Sequence, residues 1–263
     1  MALKIKATID GDTYSEAQLN YIQYEREKRT LQEMIYLGAV VLDGEQPLTY
    51  DDINYLSQAD AKRILRENKE RIGFQGTQNL YQKEMERCDQ MWRDIVKDVG
   101  EIDPMQVCMA DIEVTGLHVQ EFGGALQTVL RGEKGVILRL EPDHFEYTPV
   151  EGEETHNYGM EVMGMYGGPN VVITEIKPEL ASRVTPAEGF YPTGCGTSFL
   201  RDGTCRQDIA FHQIKETQDG FIVKSCVYFP KNTPKELVDG HKIHLAIETM
   251  EMIKMADQET HNE

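Results

Sequence analysis

Residues 135 to 229 hold five short apolar segments: GVILRL (135–140), GMEVMGMY (159–166), VVITEIK (171–177), DIAFHQIK (208–215) and FIVKSCVYF (221–229). Each is fenced by Gly, Pro, Asn or Asp, which reads as a strand between turns. MQVCMADIEV, just upstream, is a further strand candidate with imperfect alternation. ETQDG joins the last two of the five as a hairpin connection. One long helix then closes the chain: Thr233 suits its N-cap, Pro234 its first position and Glu236 the capping box. A shorter helix is expected near 118–131. Strands followed by a covering helix define an α+β layer architecture with an antiparallel sheet. A curved sheet gripping a helix leaves a cavity suited to a small, largely apolar ligand.

The first hundred residues differ in character. Residues 14 to about 100 mix apolar and charged positions in helical fashion. Thr49 and Asp52 form a capping box opening a helix over YDDINYL. Tyr81, Met85, Cys88, Trp92, Ile95 and Val99 follow 4-3-4-3-4 spacing, a single apolar stripe that Gly100 ends. Such a stripe needs a partner, either a helix of this chain or a second subunit. The chain therefore divides into a helical region, 1–103, and a sheet-plus-helix domain, 104–263.

Charge narrows the partners. The 263 residues carry 45 acidic against 27 basic side chains, a formal charge of −18 that repels nucleic acid and anionic membranes. No apolar run is long enough to span a bilayer, and the start, MALKIKATIDGD, lacks the apolar core of a secretory signal. The cysteines number five, with no C-x-x-C pair, which argues against a disulfide framework and for a cytoplasmic home.

Chemistry-bearing residues interrupt the pattern. His244 and Glu248 stand one turn apart on the closing helix, a spacing that suits either a divalent cation or a simple surface hydrogen bond. His241 faces the same way, but all three do not reach one ion. Glu175, Glu161 and His212 each share a strand face with apolar residues. A polar group there must be paired, coordinated or at a strand end. His144 sits in a Pro-containing turn, where solvation is the plain alternative. PTGCGTS reads as a Gly-rich loop, with no His motif to make Cys195 a nucleophile. MYGGPN reads as a hairpin turn and EGEETHN as a solvated loop.

Taken together, these pieces resemble the 2,4-diacetylphloroglucinol hydrolase and phloretin hydrolase family. Its final helix carries His-x-x-x-Glu, matched here by His244 and Glu248. A His in a Pro-containing turn and a strand Glu with thirty residues between them match His144 and Glu175. A His-bearing strand between the two pairs matches His212. The likeness covers about residues 105–255. It implies a Bet v 1-like (helix-grip) domain, dimerisation through the helical region, and Zn2+ held by His144, Glu175, His244 and Glu248. It also implies hydrolysis of the carbon–carbon bond joining an acyl group to a phloroglucinol-type ring. A small aromatic ketone such as phloretin would then give phloroglucinol and a carboxylic acid. His212 would be the catalytic acid, and Tyr158, Tyr166 or Tyr228 would bind substrate oxygens or serve in packing. VILRLEPDH lacks the family's aromatic lead-in, and the stretch from Glu175 to His244 is shorter, so Glu161 stands as the alternative to Glu175. A non-catalytic helix-grip protein binding an aromatic or polyketide ligand, or a related lyase or cyclase, are the competing functions.

Overall fold

The computed structural model describes residues 2–100, 103–131, 135–152 and 155–261. An N-terminal hairpin, β1 (Lys4–Ile9) and β2 (Asp12–Ser15), leads into helix α1 (Glu16–Tyr36). The small hairpin β3 (Leu42–Asp43) and β4 (Gln46–Pro47) precedes α2 (Gln58–Leu80) and α3 (Gln82–Val96). Next come β5 (Met105–Thr115), α4 (Val119–Leu130) and the short turn of helix α5 (Ile137–Leu140). Then follow β6 (His144–Pro149), β7 (His156–Glu161), β8 (Asn170–Ile176), β9 (Tyr191–Leu200), β10 (Ile209–Thr217) and β11 (Gly220–Pro230). Helix α6 (Lys235–His261) closes the chain.

Among the described residues, nine strands form one antiparallel sheet in the order β2-β1-β5-β11-β10-β9-β8-β7-β6. α6 packs against β5, β1 and β11 on one side and α4 and α1 on the other. It is covered almost all round, which is why Leu245, Ala246, Ile247, Met250 and Ile253 are all buried. The expected α+β layering, with a large antiparallel sheet and a long C-terminal helix, is the observed one.

Several elements depart from expectation. The N-terminal stretch is a hairpin: Asp10 and Gly11 form its two-residue turn, both at positive φ (51° and 89°), as a type I′ turn demands. β1 pairs with β5, and Ile5, Ala7, Leu19 and Trp92 share a core with Phe221 and Ile247. The division at 103 and 104 is thus bridged by both sheet and core. GVILRL holds the helical turn α5 instead of a strand, and PTGCGTS lies within strand β9 instead of a loop. YDDINYL makes only a 3-10 turn, Asp52–Tyr55, although Thr49 and Asp52 do cap each other. Thr233 Oγ1 is buried without a partner, so the expected cap on α6 is not formed. Part of EGEETHN lies outside the described residues.

The α3 stripe finds its partner inside the chain. Cys88, Trp92 and Ile95 join the main core, while Tyr81 and Met85 pack with Phe145, Met160 and Val171 of the sheet. No helix among the described residues is long and apolar enough to cross a membrane.

One close approach sets the geometry of the site. The segment GMEVMGMY leaves the sheet after Glu161 and turns at Gly164, where φ is +64°. A Cβ on Gly164 would lie 2.1 Å from Leu237 O, and one on Gly240 would lie 2.0 Å from Gly164 O. Only glycine at both positions lets this turn lie directly on α6. It brings the end of β7 alongside His241 and His244.

Candidate active site

A cavity of about 370 Å³ lies between the sheet and α6. Its volume falls within the ~300–1,000 Å³ of typical small-molecule sites. Phe122, Leu126, Val172 and Met252 give it a largely apolar wall.

At the inner end, three elements converge. His144 opens β6 and pairs across the ladder with Glu161, the last residue of β7. His144 Nε2 lies 2.9 Å from His244 Nε2, which α6 presents from above. Glu161 Oε2 lies 3.3 Å from the first nitrogen and 3.6 Å from the second. Glu141 stands behind, its Oε2 3.6 Å from His244 Nδ1. Glu141, His144 and His244 form a buried group whose donor atoms all lie within 4.8 Å of one another, within reach of one metal ion. Glu248, one turn along α6, lines the same cavity and makes no hydrogen bond or ion pair of its own among the described residues.

The loop carrying His144 is held from the N-terminal helices. Lys69 of α2 donates to the carbonyls of Pro142 and His144, at 2.5 and 2.6 Å. Arg26 of α1 donates to the Asp143 carboxylate. Burial of Lys69 is tolerable because two carbonyls and the charges of Glu141 and Asp143 surround it.

The electrostatics suit a cation. Burial alone would raise the Glu161 carboxyl, but the hydrogen bond and charge of His144, with His244 and His241 beyond, hold it well below the usual range. Burial alone would lower His144; Glu161, Glu248 and Glu141 overcome it and push the imidazole up to about 9. Burial, with His241 and His144 adding, holds His244 well below its ordinary value. Burial raises Glu248. Two imidazole nitrogens 2.9 Å apart cannot both offer bare lone pairs; one ring's N–H donating to the other, or a metal ion, satisfies them. The donor set, two nitrogens flanked by carboxylate oxygen, is one that zinc-type ions accept. The Nδ1 atoms of both rings are buried without a hydrogen-bond partner, so the Nε2 faces are the ones turned to shared use. The residues fit a metal.

The sequence-derived candidates fare unequally. His144, His244, Glu248 and His212 all line the cavity. Glu175 also lines the cavity but does not reach the histidines. Glu161 pairs with Asn170, and Glu175 stands five residues further along β8, roughly 16 Å away at strand rise. There its carboxylate meets Lys177 Nζ at 2.8 Å and His156 Nε2 at 3.8 Å. Glu161 takes the place expected of Glu175.

None of the three tyrosines lines the cavity. Tyr158 is 36 % exposed, Tyr166 packs on the main core, and Tyr228 packs with Ile209 and Phe211 in a separate cluster. Tyr147 lines it instead. A register shift between His144 and Glu146 breaks the alternation that would otherwise have revealed this tyrosine. His212 Nδ1 accepts from the Cys226 N–H at 3.3 Å and lies 3.1 Å from Ser225 Oγ. Its proton therefore sits on Nε2. Burial pushes this imidazole down to about 4, so it is neutral near pH 7. Cys195 is on the cavity wall, where burial raises its thiol and opposes nucleophile chemistry.

Glu141 and Tyr147 carry no signal in the sequence, whereas His241 is legible on the helix face of His244. The His241 ring lies 4.7 Å from that of His244, three residues back on the same helix. Glu141 stands directly before Pro142, three residues ahead of His144, but carries no pattern of its own. No family model matches this chain, and no curated protein sequence matches it.

Proposed function

We propose that the protein is a zinc-dependent hydrolase on a Bet v 1-like helix-grip scaffold. It cleaves the carbon–carbon bond between an acyl group and a phloroglucinol-type ring, as in phloretin. The observation that carries this reading is the convergence of His144, His244 and Glu161 from β6, α6 and β7 on one wall of an apolar cavity. The five cysteines, all free, support a cytoplasmic location.

His144, His244 and Glu161 would hold the ion, with the Glu141 carboxylate 3.6 Å from His244 Nδ1 on the far side of the ring. Zinc held there would supply Lewis acidity. The reaction adds water to the acyl carbonyl carbon and breaks its bond to the ring, so one proton must pass from water to the ring carbon. Glu248, expected from the resemblance as a metal ligand, would instead carry that proton, its carboxyl raised by burial. His212 donates a hydrogen bond from Nε2 to a substrate oxygen, the role its tautomer allows. This replaces the acid role expected from the sequence. The apolar wall excludes water from the departing ring.

Purified protein should contain about one zinc per chain, lost in His244→Ala. Incubation with phloretin should release phloroglucinol and 3-(4-hydroxyphenyl)propanoic acid. No product from folded, zinc-loaded protein would reject the substrate. A non-catalytic ligand carrier is the second reading, favoured by the His144–Glu161 ion pair, which a proton alone can satisfy. Protein that binds phloretin with no metal at all would support it.

A further inference from the structure

Arg206 lies in the connection between β9 and β10 and is 0 % exposed. Its backbone N–H donates to Ser198 O. Its guanidinium stacks on Trp92, with Cζ 3.8 Å from the ring centroid. Trp92 packs on Phe229, which meets His241, so this corner adjoins the histidine cluster.

The polar half of Arg206 is unsatisfied. Nε, Nη1 and Nη2 all lack a hydrogen-bond partner. The nearest carboxylate, Asp208 Oδ2, stands 3.5 Å from Nη2. Asp208 is already engaged: it accepts from Ser198 N–H at 2.9 Å, Ser198 Oγ at 2.7 Å and Thr197 Oγ1 at 3.2 Å. Leaving a buried donor unpaired is costly, and more so for a charged group. Arg206, Asp208, Ser198 and Thr197 all line the cavity. His241 Nδ1, on the same wall, is also buried without a partner.

The geometry points to Arg206 as the seat of a ligand carboxylate, so that the cavity takes apolar organic acids. A planar fork of donors matches a carboxylate, and the surrounding apolar wall selects a hydrophobic body behind it. On the hydrolase reading proposed above, the acid released from the acyl group is such a ligand. The inference stands on Arg206 and the cavity alone and needs no turnover.

Trp92, the single tryptophan, reports binding directly. Its emission should be followed while 3-phenylpropanoate, or its neutral amide 3-phenylpropanamide, is titrated. Both titrations are run on protein as purified and again after removal of metal with EDTA. The acid should bind at least about tenfold tighter than the amide, the worth of a charge-assisted pair. That preference should survive EDTA and disappear in Arg206→Gln, while Arg206→Lys retains part of it. Equal affinities, or no binding of either probe, would overturn the inference. So would a preference lost with the metal, which would place the carboxylate on the ion, or one that persists in Arg206→Gln. If neither variant folds, the acid-to-amide ratio of the unaltered protein, before and after EDTA, decides the matter. An intact acid preference without phloretin hydrolysis would reject the hydrolase reading alone.

Discussion

The β6–β7–β8 ladder carries two cross-strand His–Glu pairs, and they have opposite characters. His144 faces Glu161, and one strand over His156 faces Glu175. The first pair is 3.3 Å apart, has a buried imidazole, and meets a second imidazole from α6. The second is 3.8 Å apart, partly exposed, and has Lys177 Nζ at 2.8 Å from the same carboxylate. A carboxylate already neutralised by a lysine has little to offer a divalent ion. One beside two imidazoles and no lysine does. What separates the two pairs is the third neighbour: a lysine two residues away for Glu175, and for Glu161 the imidazole of His244, remote in sequence.

The largest test of this contrast is Glu161→Gln against Glu175→Gln. The first should lower zinc affinity by more than about a hundredfold, beyond the ~10–100-fold typical of an orienting residue; the second should change it by less than about threefold. Equal effects in a competition titration with a chelator would erase the distinction. Lys69→Met comes next. It strips the donor from two buried carbonyls, Pro142 O and His144 O, and should destabilise the fold by about 1–3 kcal/mol in urea unfolding. Zinc affinity should fall about tenfold with it, because the His144 loop loses its anchor. Unchanged affinity would show that β6 alone sets the ring.

A pH effect follows from the layer beneath the inner end. Burial raises Glu27 from its ordinary 4.5 to about 8, with Lys62 opposing and Glu251 adding. The folded state thus binds this proton more tightly than the unfolded chain. Its contribution to stability is full below about 4.5 and is lost as pH rises through about 8. Glu27→Gln should flatten that decline, and a mutant with the parent's slope would assign it elsewhere. The smallest effect belongs to the outer end. Lys177→Ala removes a partly exposed pair and should shift stability by no more than about 1 kcal/mol, with zinc binding unmoved.

The layer order was legible because its signals are local. The apolar run of α6, the turn between β10 and β11 and the stripe of α3 each declare themselves within a few residues. β9 was hidden because its glycines look like a loop until neighbours on both sides supply a ladder. GVILRL has strand composition, yet it folds as a helical turn packed against α6. At the site, His244 and Glu248 were readable from helix period, and His144 from its turn. The choice of Glu161 over Glu175 was not, because it depends on strand register. Arg206 was invisible, since nothing in RDGTCRQD foretells complete enclosure.

The Gly164–Gly240 contact carries one more consequence. Here two main chains touch with no side chain between them, so α6 has no slack toward the sheet. A single methyl at either position would act as a wedge, lifting the helix and drawing His244 away from the carboxylate it shares with His144. The span of the cavity is therefore set by what those two residues lack.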